Sequence, residues 1–223
     1  VPLDRLLDSV TEEIDLVAVS AVQSSDGRVI DLDRLAEVAR HHDVRTFVDA
    51  TQAAGWLPLE AGRFDVTACH GYKWLCSPRG AGFLTVSERS REWLKPVNAG
   101  WYAGEDPWTS IYGPPLRLAR DARRLDVSPA WFSYSGAAEA LELLADLGPE
   151  SVGEYSVGLA NRFRESVGLE PSNSAIVSLD NTTGHDLAAA GFSVAHRANR
   201  VRLSFYLYNT DEDADRAAKI VTG

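Results

Sequence analysis

The stretch that decides the fold is Phe64–Val86, FDVTACHGYKWLCSPRGAGFLTV, which carries a lysine near its centre. The apolar runs at its two ends predict strands, and the glycine-rich segment between them predicts a turn. Lys73 is placed between Tyr72 and Trp74, where it would lose hydration. Desolvation lowers the pKa of a lysine and makes its amine nucleophilic, as in Schiff-base chemistry. The alternative is a lysine that covers apolar surface and keeps its amine in water.

A carboxylate and an amide stand upstream, beyond a predicted strand. Thr46–Val48 predicts the end of a buried strand, and Asp49 follows at its carboxyl end, where α/β sheets bind ligands. Gln52 is close enough for one turn to direct both side chains to a single ligand. A carboxylate facing a pyridinium nitrogen is one of the devices that tune pyridoxal phosphate. An aspartate at a strand end can also be a helix cap, so this alternative stays open.

An arginine interrupts a later apolar strand. Arg202 lies between Val201 and Leu203, so its side chain points to the opposite face from theirs. A guanidinium in such a place needs an anion, and it binds a carboxylate through two parallel hydrogen bonds. A structural ion pair with one of the many acidic residues is the alternative.

Taken together and in this order, these residues resemble the class V aminotransferase family, which consists of fold type I pyridoxal phosphate enzymes. The resemblance is carried by Val48–Gln52, His70–Lys73, Arg202–Ser204 and Tyr208–Thr210, and it runs over nearly the whole chain. Cysteine desulfurases, kynureninases and C–S lyases belong to this family.

The resemblance implies a role for each matching residue near the cofactor. Lys73 would bind pyridoxal phosphate and take the Cα proton of a substrate, and Asp49 would keep the ring nitrogen protonated. Gln52 would hydrogen-bond the phenolic oxygen of the ring. His70 and Tyr72 would lie near the phosphate, although the family often has a histidine where Tyr72 stands.

The resemblance also implies substrate contacts and a partner subunit. Arg202 would hold the α-carboxylate of an amino-acid substrate. Trp101 and Tyr102, in the loop Asn98–Trp108, would contact the substrate, the alternative being a packed surface loop. Ser128 matches a threonine that reaches the cofactor phosphate of the neighbouring subunit, which implies a homodimer. The alternative for Ser128 is an ordinary turn before a helix.

The connection before Arg202 bears on the reaction. Cysteine desulfurases carry a sulfur-accepting cysteine on a loop there, whereas Gly191–Arg200 contains no cysteine and leaves no room for that loop. A persulfide-forming desulfurase is therefore disfavoured, and Cys69 and Cys76 are interpreted as packing residues. β-Elimination, epimerisation and transamination remain.

Within the family, Asn98–Trp108, Tyr112–Pro114 and Asp126–Trp131 resemble the hercynylcysteine sulfoxide lyases, the C–S lyases of ergothioneine biosynthesis. This implies cleavage of the Cβ–S bond of a cysteine-derived sulfoxide to ergothioneine, pyruvate and ammonia. Aromatic faces attract quaternary ammonium groups, which suits a trimethylated histidine. A different class of function stays open: a degenerate member that binds a partner without catalysis.

The alternation of strands and helices predicts an α/β fold with a mostly parallel sheet flanked by helices, followed by a small α+β domain. We expect part of the large cofactor-binding domain over 1–127 and the small C-terminal domain over 128–223. Residues 1–15 predict one helix and Phe192–Ala195 a strand. Thr210 and Asp213 predict a capping box at the start of a last helix.

Composition excludes several classes of partner. The net charge of −10 argues against nucleic acid and anionic membranes, and no apolar run is long enough for a transmembrane helix. Two cysteines make neither a disulfide framework nor a zinc site, so we expect no metal and a cytoplasmic location. The chain contains no methionine, and the resemblance implies a preceding segment with a phosphate-binding turn. We therefore expect the N-terminal portion of the large domain to be absent here.

Overall fold

The computed structural model describes residues 3–180 and 184–223, with side chains over 5–180 and 186–223. The chain forms two compact units, each built from three separate segments. The first unit comprises Val1–Val19, Asp33–Asp49 and Glu60–Leu141, and the second comprises Ser20–Leu32, Ala50–Leu59 and Glu142–Gly223. Among the described residues, no helix is both long and apolar enough to cross a membrane.

The first unit is organised by a sheet whose strands follow the chain in order. These strands are β1 (Leu16–Ser20), β2 (Arg45–Asp49), β3 (Val66–His70) and β4 (Gly82–Val86). β2 and β3 are parallel, whereas β4 returns antiparallel to β3. Helices α1 (Leu3–Leu6), α2 (Leu32–His41), α3 (Glu88–Trp93) and α4 (Trp131–Leu147) accompany the sheet. The predicted α/β class is confirmed.

The second unit contains a smaller antiparallel sheet of β5 (Ile176–Asp180), β6 (Ala195–Arg197) and β7 (Arg200–Ser204), with β7 in the middle. Its helices are α5 (Pro149–Ser166), α6 (Gly184–Ala189) and α7 (Asp211–Thr222). Val201 and Leu203 of β7 pack with Leu159 and Phe163 of α5 and with alanines of α7 in one core. Because alternate residues of a strand face opposite sides, Arg202 is left on the other face of β7. Thr210 and Asp213 form the predicted capping box.

Two predicted elements differ from the structure. The helix predicted over 1–15 is only α1 followed by a 3-10 turn at Leu7–Ser9, because the backbone of Val10 is extended and ends it. The strand predicted at Phe192–Ala195 begins only at Ala195, after Gly191 has taken a left-handed φ of +88°. The domain boundary predicted after residue 127 stays a prediction.

Candidate active site

Asp49 and the lysine turn emerge at the same edge of the first unit's sheet. Asp49 is the last residue of β2, and its partner in the ladder is Ala68 of β3. The parallel strand β3 ends two residues later, at His70, and the following turn carries Lys73. This register puts the end of β2 beside the end of β3, from which the lysine turn continues.

The charges of both Asp49 and Lys73 affect the pKa of the Cys69 thiol. Burial raises the pKa of Cys69 to about 11, with a further rise from the Asp49 carboxylate and an opposing effect from the Lys73 ammonium. The two charges therefore act on one sulfur atom in the same small region. At neutral pH this thiol stays protonated and is a poor nucleophile, which fits a packing role.

The turn that carries Lys73 is held by main-chain hydrogen bonds. The N–H of Gly71 donates to the carbonyl of Ala81 at 3.0 Å, and the N–H of Ser77 donates to the carbonyl of Gly71 at 3.0 Å. A side chain at Gly71 would place its Cβ 2.9 Å from the Cβ of Ser77, so glycine is needed for this close approach. Trp74 is buried and Lys73 is half-buried. The turn is thus a rigid platform for the lysine.

The ring of Tyr72 is flanked by cations. The Arg79 guanidinium carbon lies 4.2 Å from the ring centroid, and Lys73 Nζ lies 5.9 Å from the same centroid. The imidazole of His70 is 5.9 Å away, between ring centroids. His70, Lys73 and Arg79 therefore all lie close to the ring of Tyr72, while the predicted roles of His70 and Tyr72 toward a phosphate stay predictions.

The loop predicted to contact substrate forms a cluster of aromatic rings. The Trp101 ring contacts those of Tyr102 and Trp108, with centroids 5.0 and 5.9 Å away. Tyr102 also meets Trp131, the first residue of α4, at 5.8 Å. We call Trp101, Tyr102, Trp108 and Trp131 the aromatic cluster. Trp108 and Trp131 are exposed, so part of the cluster is open to solvent.

Arg123 holds the main chain beneath the aromatic cluster. Its guanidinium donates to the carbonyls of Tyr102 at 3.0 Å, Gly104 at 2.6 Å and Glu105 at 3.2 Å. Sequence reasoning missed this role, because its only signal is membership of a basic run, Arg117–Arg124. The loop is thus clamped in one conformation by a side chain far along the chain.

Ser128 lies beside the loop Asn98–Trp108. Within the described residues, its contacts do not include the turn that carries Lys73. It is exposed in the extended segment before α4, and a Cβ added to Gly100 would lie 3.5 Å from the Ser128 nitrogen. Its predicted role toward a neighbouring subunit stays a prediction.

The first turn of α4 connects the aromatic cluster to the lysine segment. Ser133 donates its hydroxyl to the carbonyl of Arg79 at 2.7 Å, and Tyr134 donates its hydroxyl to the carbonyl of Gly82 at 2.7 Å. Trp131, one turn earlier, belongs to the aromatic cluster. One helix end therefore fixes both groups within the first unit.

In the second unit, Gln52 and Arg202 meet at one serine. Gln52 Nε2 donates to Ser24 Oγ at 3.0 Å, while an Arg202 Nη donates to the Ser24 carbonyl at 2.6 Å and its hydroxyl at 3.2 Å. Gln52 and Arg202 are candidate site residues from the sequence, whereas Ser24 is not. A serine in a turn gives no signal of so distant a contact.

The guanidinium of Arg202 is poised for an anion. Its Nε is buried without a hydrogen-bond partner, and no carboxylate in the described residues forms a salt bridge with it. Burial lowers the pKa of Arg202, and the positive charge of Arg197 lowers it further. A cavity of about 450 Å³ opens alongside, with Phe192, Tyr208 and Arg216 in its lining. An incoming carboxylate would relieve the electrostatic cost of this arginine.

The connection between β6 and β7 is a two-residue hairpin turn. Ala198 and Asn199 both have left-handed backbones, with φ of 48° and 60°, and Arg197 pairs directly with Arg200. This is the pattern of a tight type I′ turn. No longer loop exists between these strands.

Comparison with known proteins places the chain in a family. The sequence matches the family Aminotransferase class-V over residues 1–178. It is 27% identical to an uncharacterized aminotransferase of Bacillus subtilis, over 97% of this chain and 61% of that protein. It is 31% identical to the isopenicillin N epimerase of Amycolatopsis lactamdurans, over 92% of this chain and 58% of that protein. The chain belongs to the class V aminotransferase family.

Solved structures agree on the fold. A complex of a cystine C–S lyase with its product cysteine persulfide superposes with a TM-score of 0.85 at 22% identity, covering 99% of this chain and 64% of that one. At this identity the likeness shows the fold alone. The chain spans about three fifths of the length of the curated relatives it matches.

Proposed function

We propose that this protein is a pyridoxal phosphate-dependent C–S lyase that cleaves the Cβ–S bond of a cysteine-derived sulfoxide. Membership of the class V aminotransferase family indicates pyridoxal phosphate as the cofactor. The residues fit this group: Lys73 and Asp49 lie at one sheet edge, their opposite charges both act on Cys69, and Lys73 has no salt bridge in the described residues.

When bound, pyridoxal phosphate supplies an electron sink for the bonds at Cα of an amino acid. Lys73 is the group that would hold it and then take the Cα proton, since its amine is half-buried on a rigid turn. Asp49 would hold the proton of the ring nitrogen by its charge. Gln52 would donate to the phenolic oxygen from the same amide that now donates to Ser24.

Arg202 would bind and orient the substrate through its α-carboxylate. Two observations support this role. The Nε of Arg202 is buried without a hydrogen-bond partner, and no carboxylate of the described residues forms a salt bridge with Arg202. The structural ion pair considered from the sequence finds no support in these contacts.

The single observation that carries the choice of reaction is the tight turn at Ala198–Asn199. The turn consists of Ala198 and Asn199 and so presents no sulfur-accepting cysteine, and Cys69 holds its proton at neutral pH. Both argue against a persulfide-forming desulfurase and in favour of direct β-elimination. The similarity to an epimerase keeps epimerisation as the alternative, because both reactions begin with removal of the Cα proton.

The proposed substrate is hercynylcysteine sulfoxide, which would yield ergothioneine, pyruvate and ammonia. The aromatic cluster supports this choice, because exposed ring faces attract a trimethylammonium group. Arg123 would keep Trp101 and Tyr102 in place for that contact.

We further propose a cytoplasmic homodimer. Apart from the aromatic cluster, five large apolar side chains between residues 108 and 132 are exposed, which is typical of a surface covered by another protein. They are Ile111, Tyr112, Leu116, Val127 and Phe132. Ser128 lies among them and would reach the partner's cofactor phosphate. The free thiols of Cys69 and Cys76 fit a reducing compartment.

The test uses the full-length protein with added pyridoxal phosphate. We expect a yellow protein, borohydride fixation of the cofactor to Lys73, and release of pyruvate from hercynylcysteine sulfoxide. Lys73→Ala should abolish the release. Racemisation of an amino acid without pyruvate would overturn the lyase in favour of an epimerase. A colourless protein that binds no cofactor would instead mean a degenerate member.

A further inference from the structure

Arg79 is the cation closest to the ring of Tyr72. Its guanidinium carbon is 4.2 Å from the ring centroid, which is within the range of a cation–π contact. Its main chain is fixed as well, since its carbonyl accepts the hydroxyl of Ser133 at 2.7 Å. The guanidinium is thus held over the ring on an anchored backbone.

Arg79 forms no salt bridge with any carboxylate in the part of the chain that the structure describes. The same holds for Lys73, whose ammonium lies on the ring of Tyr72 at 5.9 Å from its centroid. Two positive charges therefore share one phenol ring without an anion between them.

We propose that Arg79 binds the phosphate of pyridoxal phosphate beside Tyr72, which the family resemblance already assigns to that phosphate; the inference rests on the proposed function. The phenol hydroxyl donates a hydrogen bond to a phosphate oxygen, and the guanidinium supplies charge while its stacking fixes the ring. A dianion beside Arg79 also offsets the repulsion between this residue and Lys73. A planar guanidinium suits both tasks, because it stacks on a ring and binds phosphate with its edge.

The arrangement explains why a tyrosine can stand before the lysine. An aromatic ring in this position gives Arg79 a face on which to stack, and the hydroxyl restores the donor that an imidazole would provide. Arg79 is exposed in this structure, and the proposal makes it part of the cofactor-binding group through its contact with Tyr72.

The experiment compares two ligands that differ only in the phosphate, namely pyridoxal phosphate and pyridoxal. Their affinities for the full-length protein are measured from the yellow absorbance of the lysine-bound form. Arg79→Gln should weaken pyridoxal phosphate binding about tenfold or more, since it removes a charge-assisted contact, and leave pyridoxal within about twofold. Tyr72→Phe should show the same phosphate-selective loss while keeping the stacked ring.

The matched control is Arg120→Gln, which removes another arginine charge of the first unit that is almost fully exposed. It should change neither affinity. Arg79→Lys keeps the charge without the flat fork, so its loss should be smaller than that of Arg79→Gln.

Three results would overturn the inference, and they can be told apart. Equal losses for both ligands in Arg79→Gln would assign Arg79 a purely structural role. Unchanged affinities, with the wild type binding pyridoxal phosphate at Lys73, would remove the inference and leave the proposed function in place. A wild type that binds neither ligand would remove both.

Discussion

Arg202 lies on the face of β7 opposite the core, where its buried Nε lacks a partner. If it binds a substrate carboxylate through two hydrogen bonds, a lysine cannot replace it. We expect Arg202→Lys to lower kcat/KM about a hundredfold, mainly through KM. Steady-state kinetics with the proposed sulfoxide measures this effect.

The control for that prediction is in the same strand. Arg200 forms a salt bridge with Asp180 at 3.0 Å and hydrogen bonds with Ser178. Arg200→Lys should therefore leave kcat/KM within about threefold, as expected for an exposed ion pair. Equal effects of the two substitutions would contradict a carboxylate role for Arg202.

Cys69 offers a prediction on pH. Burial, together with Asp49, raises its pKa to about 11, so the thiolate is scarce at neutral pH. In a Cys76→Ser background, alkylation by iodoacetamide at pH 7.5 should be about a hundredfold slower than that of an unhindered cysteine. The rate should keep rising as pH increases toward 11. A rate that levels off near pH 8 would mean that the thiolate is stabilised, contrary to this account.

At the scale of single residues, the sequence predicts side chains that act at strand ends or within strands. Lys73 and Asp49 belong to this group, because their placement follows from local apolar runs. Ser24, Arg79 and Arg123 could not be predicted, since each works through a contact with a carbonyl or ring distant along the chain. Nothing in the neighbouring residues records such a contact.

The hairpin between β6 and β7 carries backbone strain at one residue. Ala198 adopts φ of 48°, a left-handed conformation that costs a residue with a Cβ about 1 kcal/mol. Ala198→Gly should therefore raise the free energy of unfolding by about 0.5 kcal/mol or more, despite the entropy cost of glycine. Denaturant unfolding measures the change.

A glycine at a neighbouring strand position is the matched control. Ala195 is part of β6 and has no left-handed backbone, so Ala195→Gly should lower the free energy of unfolding by about 0.5–1 kcal/mol. Destabilisation by both substitutions would show that the turn is not strained.

The packing of α3 against β2 and β3 depends on a buried carboxylate. Asp65 accepts hydrogen bonds from the Thr46 N–H at 3.0 Å, Ser87 Oγ at 3.0 Å, Ser90 Oγ at 3.1 Å and Arg89 Nη at 2.7 Å. Burial alone would raise the pKa of Asp65, but the hydrogen bond with Arg89 and those from Thr46 and Ser87 outweigh it. The pKa of Asp65 is therefore held far below its usual value.

This depressed pKa sets a pH window for stability. The contribution of Asp65 is fully present above pH 4, the usual range of an unfolded aspartate, and is lost as the pH falls below it. Asp65→Asn should cost about 3 kcal/mol at pH 7 and flatten the decline of stability in acid. Asp43→Asn removes the exposed partner of Arg89 and should cost less than about 1 kcal/mol. Equal costs at pH 7 would contradict the buried network.

At the scale of elements, termini with strong local chemistry were predictable. The capping box of Thr210 and Asp213 predicts the start of α7 from the sequence alone. The helix predicted over 1–15 and the strand predicted at Phe192–Ala195 failed, because apolar spacing does not show where a backbone turns. Both depend on backbone dihedrals, at Val10 and at Gly191, that periodicity cannot reveal.

The proposed dimer gives a prediction at the scale of the whole molecule. Phe132 is 94% exposed and lies among the apolar side chains between residues 108 and 132. We expect Phe132→Glu to shift the full-length protein from dimer to monomer in light scattering. Val97→Glu changes another apolar residue, 90% exposed, outside that stretch and should leave the dimer intact. A wild type that is monomeric at all concentrations would remove this proposal.

The sequence did not predict which segments of the chain form each of the two units. Each unit collects segments from three parts of the chain, so that Gln52 and Ser24 belong with Arg202 while Asp49 belongs with Lys73. Local patterns predict elements, but the long-range contacts that sort them into units come from packing. The α/β class could be predicted without these long-range contacts, because it depends only on the order of strands and helices.

Ser24 connects the residue proposed to bind the cofactor with the one proposed to bind the substrate. Its hydroxyl oxygen has two lone pairs and accepts hydrogen bonds from both Gln52 and Arg202. Under the proposed function, cofactor that drew Gln52 away would leave Arg202 as the remaining one of these two donors to this oxygen. Any resulting change in amino-acid affinity would be matched by an equal effect of amino acid on cofactor affinity.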